Sequence, residues 1–524
     1  MCCKTDIMPV PIIDLFAGPG GLGEGFSSCV DASTNKRQFK IAVSVEKDTF
    51  AHRTLSLRAF LRQFPIGDAP EAYYEYVKRQ ISRDELFCKY PNQATSAQEE
   101  ALLRTLGTAD NIDIHSRIER AVGFGEKPWL LIGGPPCQAY SLVGRARMVG
   151  SSSNSDFESK RKEFEKDPRH KLYLQYLEII AKFRPAVFVM ENVKGLLSAK
   201  LDGQPVIDQI LRDLKDPRAA LSSTDFENKG SDPHYRIVSL VTNRNGKQLI
   251  PDDYLIRMEQ YGIPQMRHRV ILLGIRSDIK AKPGLLETVI KQVSVKSVIS
   301  DLPNVRSSVS NRVIERDWLS TVRRFGYSTD VMNLDLDDIA GAILEAQEEC
   351  QRHTSTGGEW CDHEANIRDE KLSAWFIDSR LKGVLNHSTR SHIPDDLHRY
   401  LYASSVALRT GVSPKLGSFP KSLLPAHKNV NKDKLIFDDR FRVQVWDKPA
   451  TTVTCHISKD GHYYIHPDPS QCRSLTVREA ARIQTFPDNY FFEGPRTEQY
   501  KQVGNAVPPL LASKIAEVVR GLFN

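Results

Sequence analysis

The stretch Val10 to Leu15, VPIIDL, runs directly into FAGPGGLGEGF and constrains the fold more than any other part of the chain. A run this short and this apolar reads as a strand buried on both faces, as in parallel sheets covered by helices. Gly18-Pro19-Gly20-Gly21-Leu22-Gly23 then satisfies G-x-G-x-x-G. After a strand, that spacing predicts a tight turn into a helix, with backbone open to close approach by a ligand.

Further runs of the same kind follow. Phe39 to Val45 reads as a second strand ending at Glu46, and Trp129 to Ile132 as another. Pro185 to Met190 follows the helical stretch HKLYLQYLEIIAKF, and Arg269 to Ile275 is one more strand. Strands alternating with helices predict an α/β fold with a doubly wound, mostly parallel sheet. The rhythm is lost from about Ser277 to Cys472, which reads as a second, smaller domain of irregular structure. It returns at Thr476-Val477-Arg478-Glu479, a capping box, and in PPLLASKIAEVVRGLF, an amphipathic terminal helix. The expected division is therefore 1–276, 277–472 and 473–524, the last packing back onto the first. Arg53 to Asn111 reads as a mostly helical insertion, and Met148 to Pro168 as a polar loop able to close over the site.

A chain of 524 residues is long enough for several domains. It shows no apolar run of membrane-spanning length and no secretory leader, which predicts a cytoplasmic protein. The net charge of +7 permits a polyanionic partner without requiring one. Nine cysteines without C-x-x-C argue against a disulfide framework. Cys350, His353, Cys361 and His363 lie close in sequence, but their spacing matches no closed zinc site, so no metal is expected.

The glycine loop and Glu46, placed to accept from ribose hydroxyls, fit a nicotinamide dinucleotide or S-adenosylmethionine (SAM) equally. Asp14 and Phe16 flank the loop. Other strand ends separate the possibilities. Cys137, in GGPPCQAYS, lies just past one, and Glu191, in VMENVKG, at another. Ligands of doubly wound sheets bind at the carboxyl ends of the strands, so both residues should face the cofactor crevice. Cytosine C5 is a poor nucleophile. A thiolate adding at C6 makes it enamine-like, and a carboxyl kept neutral by burial can protonate N3. The prolines mount the sulfur rigidly. A lowered thiol pKa requires nearby positive charge, for which Arg267 and Arg269, in QYGIPQMRHRV, are the candidates.

With these motifs in this order, the chain resembles the cytosine-C5 DNA methyltransferases of bacterial modification type. DLFAGPGGLGEGF is similar to their SAM loop, GGPPCQAYS to their nucleophile loop and ENVKG to their glutamate motif. QYGIPQMRHRV resembles the motif whose second arginine, here Arg269, contacts the cytosine. RSLTVREAARIQTFPD and QVGNAVPPLLA resemble the two C-terminal motifs. The resemblance implies SAM contacts from Phe16, Gly18, Gly20, Gly21 and Leu22, with Glu46 at the ribose and Lys47 beside the adenine. It implies adenine recognition by Asp113 and Ile114, and further cofactor contacts from Pro136, Leu172, Asn505 and Val507. Gln138, Ser141 and Arg169 fall where the family touches the flipped nucleotide or its phosphates, and Thr452 or Thr454 matches a phosphate-contacting threonine.

The region from Ser277 to Cys472 stands where the family keeps its target-recognition domain. NHSTRSHIPDDLHRYLYAS and RTGVSPKLGSFPKSLLPAHKN are expected to face duplex DNA, and base flipping is implied. The resemblance further implies a monomer that modifies DNA beside a cognate restriction nuclease or other defence proteins, associating with the nucleoid when bound. A tRNA cytosine methyltransferase, a catalytically silent DNA-binding protein of this fold and a nicotinamide oxidoreductase are the alternatives.

Overall fold

The computed structural model describes residues 8–124, 127–136, 168–201, 203–221, 234–244, 248–310, 317–326, 337–425 and 438–523. Its centre is an eight-stranded sheet. The strands are β1 (Val10–Leu15), β2 (Phe39–Glu46), β3 (Ala101–Leu103), β4 (Leu130–Gly133), β5 (Val187–Val193), β6 (Tyr235–Val238), β7 (Leu255–Arg257) and β8 (His268–Arg276). The order is β3-β2-β1-β4-β5-β8-β6, with β7 also paired to β8. The pairs from β3 to β5 are parallel, and β8 is antiparallel to β5, β6 and β7. This is the expected doubly wound, mostly parallel α/β sheet.

The apolar runs form strands because both faces are covered. On β5, Phe188 and Met190 enter one core with Ile13, Leu15 and Tyr176, whereas Val187 and Val189 enter the other with Ile12, Leu130 and Leu511. β5 extends three residues past the predicted end at Met190, so Glu191 is part of the strand.

Helix α1 (Gly21–Ser27) leaves the glycine turn. Between β2 and β3 the chain forms α2 (Thr49–Arg62), α3 (Glu71–Val77), α4 (Arg83–Lys89) and α5 (Pro91–Glu100), the expected helical insertion. Sequence reading missed β3, because ALL directly after a helix ending in QEE has neither β-branched residues nor a turn signal. Helix α6 (Asn111–Val122) follows β3, and α7 (Pro168–Phe183) precedes β5.

Beyond β8 the described strands are no longer than three residues, and helices at Trp318–Gly326, Asp337–Glu349 and Glu370–Phe376 precede α8 (Pro394–Thr410), α9 (Val477–Ile483), α10 (Arg496–Asn505) and α11 (Pro509–Arg520). Thr476 caps α9 as predicted, accepting from Glu479 N while Glu479 accepts from Thr476 N at 2.7 Å. Helix α11 packs on α1 and returns the chain to the sheet. No break in packing marks residue 473: Val298 and Ile299 share a core with Val477, Ile483 and Val503. The helical insertion is also continuous with this part, since Leu381, Leu385 and Phe491 pack among its tyrosines. None of the described helices is long and apolar enough to cross a membrane.

The segment from Asn386, expected to face DNA, is instead largely core. Asn386, His387, Arg390, His392, Arg399 and Tyr400 are all buried. Their polar atoms are taken up inside the protein: Asn386 Nδ2 donates to Phe492 O, and Arg390 donates to Ile457 O and Lys459 O. Of the segment from Arg409, residues up to Pro425 are described, and there Arg409 pairs with Glu345 and Lys415 with Asp438.

Candidate functional site

At the carboxyl ends of β1, β2, β3, β4 and β5 the structure holds a cavity of about 470 Å³. Phe16, Gly18, Gly21 and Leu22 line it from the glycine loop, and Glu46 and Lys47 from β2. Pro136 lines it from β4, Leu172 from α7, Glu191 from β5, and Asn505 and Val507 from the terminal motif. The sequence prediction therefore converges in space over most of its members.

Glu46 fixes the shape of the loop. Its Oε2 accepts from Gly18 N at 2.8 Å, and its Oε1 from Lys47 N at 2.9 Å and Asp48 N at 2.7 Å. Burial pushes its carboxyl pKa up against the pull of those amides. A carboxylate offers about four lone-pair sites, so about one remains for a ligand hydroxyl. Gly21 permits the terminal motif to close the cavity, since a Cβ there would lie 2.3 Å from Val507 O. Gly20, at φ 100°, makes the turn into α1 without lining the cavity. Beneath the loop, Asp14 is 1% exposed and neither carboxyl oxygen has a hydrogen-bond partner. Burial pushes its pKa up to about 8.

Glu191 is not an isolated buried acid. Its Oε1 lies 2.8 Å from Arg269 Nε, with both side chains only 14% exposed. Gly134 makes room for the carboxylate, as a Cβ there would sit 2.9 Å from Glu191 Oε2. The next residue, Asn192, donates to Pro135 O at 3.2 Å and ties the proline turn to β5. Cys137, Gln138 and Ser141 lie outside the described residues, immediately beyond this anchored turn. Arg169 lies in the first turn of α7, its side chain outside the described set.

Arg267 does not enter the crevice, contrary to its expected role beside the thiol. It is buried and donates to Val453 O at 2.7 Å, Ala506 O at 3.0 Å and Gly504 O at 3.4 Å. Burial and then the charge of Arg269 push it down to about 9. It ties the terminal motif to the sheet. Thr452 donates to Met266 O at 2.7 Å, while Thr454 Oγ1 lies 3.0 Å from the Tyr464 hydroxyl.

Asp113 and Ile114 do not line the cavity. Ile114 is fully buried in the core, and Asp113 binds Arg104 at 3.0 Å and Arg117 at 3.5 Å. Arg104, Thr105 and Leu106, which follow the unforeseen β3, line the cavity instead. Sequence reading also missed Glu498, Lys501 and Gln502, which with Asn505 form the α10 wall. Their signal was present, because in EQYKQVGN these four share one helical face. Cys350, His353, Cys361 and His363 do not assemble: Cys350 donates to Ser470 O, and His353 meets the Ser470 hydroxyl. No cluster of three metal-ligating side chains occurs among the described residues.

A family model for C-5 cytosine-specific DNA methylases matches residues 103–217 and 253–520. Type II methyltransferase M.Bpa9945I of Bacillus paralicheniformis is 34% identical, over 98% of this chain and 99% of its own. Type II methyltransferase M.DdeI of Desulfomicrobium norvegicum is 26% identical, over 98% and 89%. A crystal structure of a DNA modification methyltransferase encoded within a prophage (E. coli) aligns over 98% of this chain and 99% of its own, at TM-score 0.48 and 18% identity.

Proposed function

We infer the function from one premise: the chain belongs to the C-5 cytosine-specific DNA methylase family and is a DNA cytosine-5-methyltransferase. Beyond that premise, we read the cavity as the SAM site. The observation carrying this reading is the Glu46-braced glycine loop opening onto the same cavity as the Glu191–Arg269 pair. The residues present fit: backbone free of side chains at Gly18 and Gly21, and a largely buried acceptor at Glu46 for a ribose hydroxyl. SAM supplies an electrophilic methyl group.

The chain's residues do the rest. Cys137, carried just past the anchored Pro135-Pro136 turn, adds through its sulfur to C6 of the extruded cytosine. Glu191 holds the N3 edge, and Arg269 orients Glu191 and the base. That addition makes C5 nucleophilic, so that C5 would take the methyl group. A general base then removes the C5 proton, and the C5–H electrons re-form the C5=C6 bond as the C6–S bond breaks and releases the Cys137 thiolate. Rigid placement matters because small displacements of reacting groups are costly in rate.

The segment 277–472 is proposed as the target-recognition region, with Thr452 and Thr454 near the phosphates. A monomer acting in the cytoplasm as the modification half of a type II restriction system is the cellular reading; it rests on the names of the two relatives. Tritium transfer from labelled SAM to mixed-sequence duplex DNA tests the activity. Transfer to tRNA but not to DNA would overturn the substrate.

A further inference from the structure

The two ends of the cofactor cavity differ in chemistry. Glu191 on β5 marks one end. Passing along the sheet through β4, β1 and β2 to β3 leads to the other, lined by Arg104, Thr105 and Leu106. Given the SAM reading above, on which this inference rests, ribose at Glu46 and the reacting methyl toward Glu191 leave the purine at the β3 end.

That wall presents donors. Arg104 Nε binds Asp113 Oδ2 at 3.0 Å, and its Nη1 donates to Leu103 O at 3.0 Å. Its Nη2 makes no hydrogen bond among the described residues. Neither Asp113, which also holds Arg117, nor Asp110, whose Oδ2 accepts from Thr105 N at 2.8 Å, lines the cavity. Asp48, on the neighbouring wall, uses Oδ1 to cap α2 at Phe50 N and Ala51 N. A guanidinium has five N–H donors, no acceptor, and a flat face suited to an aromatic ring.

We propose that Arg104 contacts the purine of the cofactor, that Asp113 positions it, and that the base is read by donation to its acceptor atoms rather than by a carboxylate accepting from its 6-amino group. A purine bearing oxygen at position 6 then meets a matching donor and is tolerated.

Calorimetric titration of the DNA-free protein with S-adenosylhomocysteine and with S-inosylhomocysteine tests this. The wild type should bind the two within about threefold of each other, since no acceptor is left unpaired. Arg104→Ala should weaken S-adenosylhomocysteine about tenfold, and S-inosylhomocysteine more, through lost donation and stacking. Arg104→Lys should not restore affinity, because a point charge lacks the planar fork. Asp113→Ala should show part of the Arg104→Ala loss, and Asp113→Glu should recover it. Unchanged binding in Arg104→Ala overturns the inference, as does an inosyl analogue about 30-fold or more weaker in the wild type, the mark of a site built around the amino group. A wild type that binds neither compound overturns the SAM reading, and this inference with it.

Discussion

In the sheet, backbone N–H and C=O groups pair with neighbouring strands, and the polar side chains at the strand ends remain available at the cavity. In the part that follows β8, residues 277–506, where the described strands are no longer than three residues, buried arginines do what strands do elsewhere. Arg478 donates to Leu385 O, Pro487 O and Tyr490 O, Arg473 to Val305 O and Ser474 O, and Arg399 to Leu423 O. Two of the arginines also carry bidentate carboxylates, Arg473 with Glu479 and Arg482 with Asp488. Buried carbonyls must be paired, so a chain folded without ladders recruits side chains for them. Richness in Arg, His and Asn is therefore a poor guide to a DNA-facing surface here. In this part of the molecule Arg390, Arg399, Arg473, Arg478 and Arg482 belong to the interior.

This contrast predicts that substitutions at the strand ends remove activity and leave stability, and that those in the irregular core do the reverse. Cys137→Ser should lower methyl transfer by about 10³-fold or more with an unchanged melting temperature. Undiminished transfer would sink the thiolate mechanism, and a large drop in melting temperature would break the contrast. Next in size, Arg473→Met strands Glu479, both side chains being 1% exposed. Loss of about 3–5 kcal/mol in denaturant unfolding is expected, and a loss below about 1 kcal/mol would show that the pair is not structural.

Smaller again is the response to acid. His387 Nε2 donates to Pro303 O at 2.9 Å, and its Nδ1, 3.0 Å from Thr476 Oγ1, accepts the hydroxyl proton, so the ring is held neutral. Burial pushes it down to about 4 from an ordinary 6.5. Between those values the unfolded chain binds a proton that the folded chain refuses. Its contribution, about 3 kcal/mol, is present above pH 6.5 and is lost as pH falls toward 4. Unfolding titrations between pH 7 and 4.5 should show this slope, and His387→Gln should flatten it. Smallest is Thr476→Ala, which removes the α9 cap and should cost about 1–2 kcal/mol without altering SAM affinity. Weakened SAM binding in that variant would join the two halves that the comparison separates.

The strands that sequence reading placed, β1, β2, β4, β5 and β8, are long enough for apolar pattern alone to define them. β6 and β7, of four and three residues, were not legible, nor was β3, because three residues following a helix carry no period. With β3 went the cavity wall Arg104–Leu106, in place of which Asp113 and Ile114 were expected to line the site. Arg267 and Arg269 stand two residues apart and read alike, yet one tethers the terminal motif and the other holds Glu191.

Sequence by itself determined five of the sheet's eight strands, the glycine loop, the order of motifs and the placing of Glu46 and Glu191 on one cavity, because local pattern and the rule of strand-end binding suffice for these. Only the tertiary structure decided which polar side chains are free to act. That depends on whether a neighbouring backbone already satisfies itself, a property of contacts distant in sequence that no local pattern records.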